Sequence, residues 1–193
     1  MPAIGKHKGP IVDAAIRRFR RQGYPGTGLN QIVRSSGAPK GSVYHYFPDG
    51  KPSIAAAAVE EAGRRMAATM RGLAASSDSA DSFIRAFAET LGGWMKKSRY
   101  SDGCPLTSVL LELAPKDRRV TKAGQRAYSQ RLAVIEEVLE RDGIGGRTGD
   151  RLACLCLSAL NGALIQARVD RSTRPLEIVA ETLGGMLAAV PRL

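Results

Sequence analysis

The residues best equipped for chemistry lie between Thr27 and Phe47, where the chain reads TGLNQIVRSSGAPKGSVYHYF. Lys40 carries an ammonium that can meet a phosphate or a guanine edge. Ser42 is small and can hydrogen-bond a base, and Tyr44 and His45 can donate to phosphates. Gly41 lets a backbone approach closely. These groups suit the binding of a polyanion and not the breaking of a bond. The chain has only two His and three Cys, and no Ser-His-Asp set can be placed. Hydrolase chemistry therefore has no support, and no catalytic residue, metal or cofactor is assigned. Cys154 and Cys156 stand two apart, which on a helix points them to different sides, so they read as packed core thiols. Cys104 sits beside a turn with no basic neighbour to lower its pKa. Gly143 to Gly149 does not make a dinucleotide fingerprint, because Thr148 stands where the third Gly belongs.

The elements that must hold these groups are helical. Ile11, Val12, Ala15, Ile16 and Phe19 form one apolar stripe, with Pro10 in the first turn and Gly23 at the stop. Arg17, Arg18, Arg20 and Arg21 lie mainly off that stripe; a solvated face and a phosphate-touching face are both open readings. Thr27 suits an N-cap for a helix carrying Leu29, Ile32 and Val33, broken at Ser36-Gly37-Ala38. Pro39 can open a second short helix through about Tyr46. Two short helices with a Gly-containing turn make a helix-turn-helix, whose second helix can enter a major groove about 12 Å wide. Leu29, Ile32, Val43 and Phe47 are expected to dock the pair onto the first helix.

Helical periodicity continues to the end of the chain. A long Ala-rich helix is expected from Lys51 to about Leu73. Further helices are expected around Phe83–Met95, Cys104–Leu113 and Tyr128–Leu139, then from about Gly149 to Ala167, and from a Thr173 cap through Leu187. The fold class is all-α, with about nine helices and no convincing alternating strand. The helix of residues 149–167 is apolar on nearly all sides, which predicts burial on all sides, with a partner's help. The uncharged stretch Leu152–Ala167 falls short of the ~20 residues of a spanning helix. No signal peptide is visible and no membrane partner is expected; with few cysteines, a cytoplasmic protein is expected.

Charge points the same way as the motif. The 193 residues carry 29 Lys and Arg against 18 Asp and Glu, a net of +11. Residues 1–71 hold 12 basic and 4 acidic residues, a net of +8, and the remaining 122 only +3. A basic module on a nearly balanced body favours nucleic acid as the partner of the first third.

Residues 11–54 resemble the tetracycline-repressor (TetR) family of bacterial regulators. The resemblance is carried by Ala14-Ala15, Phe19, Gly23-Tyr24, Thr27, Ile32, Gly37, Lys40-Gly41, Tyr44, Phe47 and Lys51. The family usually has His just before that Phe; this chain has Tyr46 there, with His45 one place earlier. Phe47-Pro48-Asp49-Gly50-Lys51 and Gly103-Cys104-Pro105-Leu106 are similar to the LmrA/YxaF-like subgroup. The resemblance implies a DNA-binding domain over residues 1–50 and a ligand-binding, dimerising domain over 51–193. It implies a homodimer through the last two helices, a double-stranded operator as partner, and release by a small-molecule effector. By matching position it turns Thr27, Pro39, Lys40, Gly41, Tyr44, Tyr46 and Lys51 toward DNA, with Thr27 and Lys51 on phosphates; Ser42 and His45 join on their chemistry. Activators, regulators without a ligand, and a small helical carrier or enzyme with an incidental basic face are the alternatives.

Phe83, Phe87, Trp94, Met95, Leu106, Leu110 and Tyr128 are candidates to line a ligand cavity, against a plain core role for each. Asn161 interrupts an apolar helix, where it can orient a ligand or fix a dimer register. Gly162 and Ala163 permit close helix approach at a dimer seam.

Overall fold

The computed structural model describes residues 6–192. Among them are nine helices and no strand. In chain order these are α1 (Lys8–Gln22), α2 (Leu29–Ser36), α3 (Lys40–Tyr46), α4 (Lys51–Ala75), α5 (Ala80–Lys97), α6 (Pro105–Leu113), α7 (Arg118–Arg141), α8 (Gly146–Asp170) and α9 (Arg174–Ala188). The all-α expectation holds.

The helix ends show the local chemistry. α1 stops at Gly23, whose φ of +73° is open to glycine and whose N–H donates to the Phe19 carbonyl at 3.1 Å. Gly37 closes α2 in the left-handed conformation, φ +64°, which turns the chain into α3. The cap of α2 is Gly28, not Thr27. Gln31 replaces a side-chain cap there: its Oε1 accepts from the Gly28 N–H at 2.9 Å. Ser79 caps α5 by accepting from the Ser82 N–H at 3.1 Å. α8 starts at Gly146, three residues before the expected Gly149, and runs on to Asp170.

The chain packs as two compact units. Met1–Arg65 with Gly103–Tyr128 form the first, and Met66–Asp102 with Ser129–Leu193 the second. In the first, α1 lays Ile11, Ala15 and Phe19 against Ile32 of α2, Val43 of α3 and Phe47 just beyond it. Ile54 and Ala58 of α4 join this core, as do Leu106 and Val109 of α6 and Val120 and Ala123 of α7. Gly103 ties the α6 end of the unit to α1, donating its N–H to the Arg20 carbonyl at 2.7 Å. Gly63 of α4 faces Ala127 of α7 so closely that a Cβ would stand 2.4 Å from the alanine methyl.

The second unit has its own core. Phe83 and Phe87 of α5 stack with centroids 6.2 Å apart, among Ile84, Leu91, Leu157, Leu160, Leu176 and Leu183. α8 departs from expectation here. It is not buried on all sides: Leu157, Leu160, Ala163 and Ala167 face the core, while Leu155, Ile165 and Val169 are exposed. Its 25 residues are long and apolar enough to cross a membrane by length and composition, which corrects the shorter estimate from Leu152–Ala167. The same length and composition serve a helix with one face in a protein core.

Candidate nucleic-acid interface

The interface is built from α3 outward. Seven residues are too few to hold a helix in water. Val43 and Phe47, four apart, anchor it by full burial in the first core. That anchoring fixes the opposite side. Pro39, Lys40, Gly41, Tyr44 and His45 are exposed and Ser42 is half-buried. A Cβ built on Gly41 meets nothing within 4 Å, so the surface there is open to a partner's close approach. Tyr46 lies differently from the expectation: it is half-buried against the first core, its ring edge-on to His45 at 5.0 Å.

α2 is locked to α1 by side chains. Arg18 donates to the Ser35 hydroxyl from Nε at 3.0 Å and from Nη2 at 2.8 Å. Gln22 donates to Gln31 Oε1 at 2.9 Å. Of the two readings of the arginine face, Arg18 thus takes a third, joining two helices, while Arg17 and Arg21 stay exposed.

Thr27 and Lys51 are where the structure departs most from a phosphate-facing picture. Thr27 is fully buried, and its hydroxyl donates to the Gly23 carbonyl at 2.7 Å. The Lys51 ammonium donates to the Tyr24 and Thr27 carbonyls, each at 2.8 Å, and lies 4.0 Å from the centroid of the Tyr24 ring. Burial lowers the Lys51 pKa, and raises that of Tyr24 together with nearby Asp117. The capping-box spacing Gly28-to-Gln31 was open to a sequence reader; the Lys51 contacts, 24 and 27 residues away, left no local signal.

Packing also redistributes the charge. The first unit holds 16 basic and 6 acidic residues, a net of +10, and the second unit +1. The gain over the linear split comes from Lys116, Arg118, Arg119, Lys122 and Arg126, which fold into the helix-turn-helix unit. Arg119 pairs with Asp49 in the turn after α3, and Arg126 with Glu60 at 3.3 Å.

One acidic knot sits in this unit. Glu61 accepts from Arg64 at 2.7 Å and Arg65 at 2.6 Å, and Arg65 also pairs with Asp13 of α1. The Arg64 hydrogen bond, helped by Arg65 and opposed by burial, lowers the Glu61 pKa from 4.5 to about 2. A depressed carboxylate contributes stability that is present above its unfolded pKa and lost as pH falls through the folded one. The urea midpoint is expected to fall between pH 4.5 and 2. Glu61→Gln should flatten that part of the profile; an unchanged acid limb would remove Glu61 from it.

The ligand candidates do not gather in one unit. Leu106, Leu110 and Tyr128 belong to the first; Phe83, Phe87, Trp94, Met95 and Asn161 to the second. Phe83, Phe87, Met95 and Leu106 are buried, Trp94 and Tyr128 are exposed, and Leu110 and Asn161 are half-buried. A groove of about 340 Å³ between α5 and α9 is lined instead by Arg85, Glu89, Lys96, Thr173, Glu177 and Glu181 among others, and by none of the eight candidates. Cys156 is a core thiol, pushed up to about 11 by burial, but Cys154 is exposed, a correction to the paired-core reading.

Known proteins share this architecture over most of its length. A regulator from Rhodobacter sphaeroides named TetR superposes with a TM-score of 0.80 at 19% identity, covering 93% of this chain and 97% of that one. The HTH-type transcriptional regulator LmrA of Bacillus subtilis is 30% identical over 96% of this chain and 98% of its own length. The HTH-type transcriptional repressor NemR of Escherichia coli K12 is 26% identical over 81% of each. Residues 11–58 match the family described as bacterial regulatory proteins, tetR family, and residues 80–182 the C-terminal domain of LmrA/YxaF-like transcriptional regulators. With a basic helix-turn-helix on its own core and a second helical unit behind it in sequence, the chain belongs to the tetR family of DNA-binding transcription regulators, in its LmrA/YxaF-like branch.

Proposed function

We propose that this protein is a repressor that binds a palindromic operator as a homodimer and leaves it when a small molecule binds. Residues 1–50 are the DNA-binding domain in this reading, and 51–193 the ligand-binding and dimerising domain. The observation that carries it is the α3 surface: Lys40, Gly41, Tyr44 and His45 exposed on one side, Val43 and Phe47 buried on the other. Lys40 and Ser42 read base edges and Tyr44 and His45 take phosphates, while Pro39 starts the helix against the backbone. A chromosomal operator places the protein in the cytoplasm. The relative NemR carries the name of a repressor, which supports that sign of control.

Dimerisation is assigned to α8 and α9. Leu155, Ser158, Gly162, Ile165 and Val169 are all exposed at alternating spacings of three and four, so they share one face of α8. Ile178, Thr182 and Gly185, spaced four and three, are likewise exposed along one side of α9, with Met186 beside them. Ala163, offered earlier for the seam, points into the unit's own core. An effector that binds better to the form with misplaced recognition helices weakens operator binding by linkage.

Lys40→Ala is expected to weaken binding to the selected operator by about 1–3 kcal/mol, or roughly 5- to 150-fold, as loss of a base contact does. Mobility shifts against operator and unrelated duplex check it. Full affinity in the variant would remove Lys40 from the interface, and a transcription assay in which the protein raises output would make it an activator.

A further inference from the structure

We propose that Lys51 is a positioning residue for DNA recognition, holding the α1–α2 turn to the start of α4 rather than neutralising a phosphate. An ammonium has three N–H donors and no acceptor. Two of them are spent on the Tyr24 and Thr27 carbonyls at 2.8 Å, and the Tyr24 ring lies 4.0 Å from Nζ. One N–H is left over, so a phosphate that took it would share the ammonium with the turn.

Placement on α4 reinforces the argument. Lys51 is the first residue of that helix, where the backbone dipole disfavours a cation. Carbonyl oxygens and a π face offset that repulsion locally. The turn they belong to decides where α2 begins. Thr27 gives its N–H to the Tyr24 carbonyl at 3.1 Å and its hydroxyl to Gly23 at 2.7 Å, and Gly28, the cap of α2, follows at once. Phe19 stands 5.6 Å from the Tyr24 ring, so the clasp is also seated on α1. One side chain thus joins α1, the start of α2 and the start of α4, the helix that follows α3.

This inference rests on the DNA-binding reading, and its test separates the two. In the free protein, hydrogen exchange needs no DNA. Lys51→Met is expected to speed exchange at the Thr27, Gln31 and Ile32 amides by about tenfold or more, as loss of two charged hydrogen bonds releases the turn, and to leave α5 and α8 amides as they were. Lys51→Gln, which keeps one neutral donor group, should fall between. Unchanged exchange at those three amides in both variants would overturn the clasp.

With DNA, two probes are compared across salt: the duplex that the wild-type chain enriches from a randomised library, and one of unrelated sequence. A positioning role predicts about tenfold weaker binding to the enriched duplex, near-normal binding to the unrelated one, and the same slope of log K against log salt. A phosphate contact predicts a slope reduced by about 0.9 for each Lys51 lost and equal weakening on both duplexes; that result would overturn the proposal. A wild-type chain that enriched no duplex would sink the DNA-binding reading, while the exchange data would still decide the clasp.

Discussion

Replacing Ile165 and Val169 together by Glu is expected to give a monomer that binds its operator at least a hundredfold more weakly. Both side chains are largely open in the single chain, at 56% and 75% exposure. The protomer itself therefore has no reason to unfold, and its thermal midpoint should hold. In a dimer of α8 and α9 faces the same positions lie in a dry seam, where unpaired carboxylates cost several kcal/mol. The DNA effect follows from geometry. Two recognition helices address successive major grooves about 34–36 Å apart. The second is delivered at the effective concentration that the first sets, a factor of about 10²–10⁴ in avidity. Sedimentation velocity and mobility shift on the same samples measure both effects. A double variant that stays dimeric would move the seam off this face.

Phe47→Ala is expected to cost the first unit about 3–5 kcal/mol, the range for removing a buried aromatic ring. Phe47 is 3% exposed and shares the core with Val43, Ile32 and Phe19. Its neighbour α3 has only seven residues, so little besides this docking holds the recognition surface in shape. Operator binding should fall with stability even though Phe47 is buried away from the surface. Tyr44→Ala is the matched comparison: it removes an aromatic that is 47% exposed, and should spare stability while lowering affinity. Urea denaturation and operator titration of the two variants separate packing from contact. A loss below about 1 kcal/mol in Phe47→Ala is less than the transfer of a buried ring alone and would mean that Phe47 does not anchor α3.

Much of this protein was legible in one dimension. The stripe Ile11–Phe19, the Gly23 and Gly37 stops and the Pro39 start mark α1 to α3 because capping and periodicity are local, set by residues three and four apart. The outward set Lys40, Gly41, Tyr44 and His45 follows once Val43 and Phe47 are known to point in, since a helix fixes both faces together. Where a property depended on burial, the side chain's chemistry alone did not show its contacts. Thr27 has a cap residue's chemistry, yet burial turns its hydroxyl back to Gly23. Tyr46 matched a DNA-facing position but leans on the core. An apolar helix such as α8 shows its composition in sequence, but which third faces its own core and which face stays open depends on α5 and α9.

By itself the sequence determined an all-helical chain with a helix-turn-helix in a basic first third, because hydrophobic period, caps and charge are sums over neighbours. Tertiary structure alone decided two things. It brought residues 103–128 into the helix-turn-helix unit, concentrating a charge of +10 there and leaving +1 elsewhere. It also spent the Lys51 ammonium on two carbonyls 24 and 27 residues away. Both are consequences of three-dimensional proximity: a charge acts on whatever folds within a few ångströms of it, and no spacing along the chain records that distance.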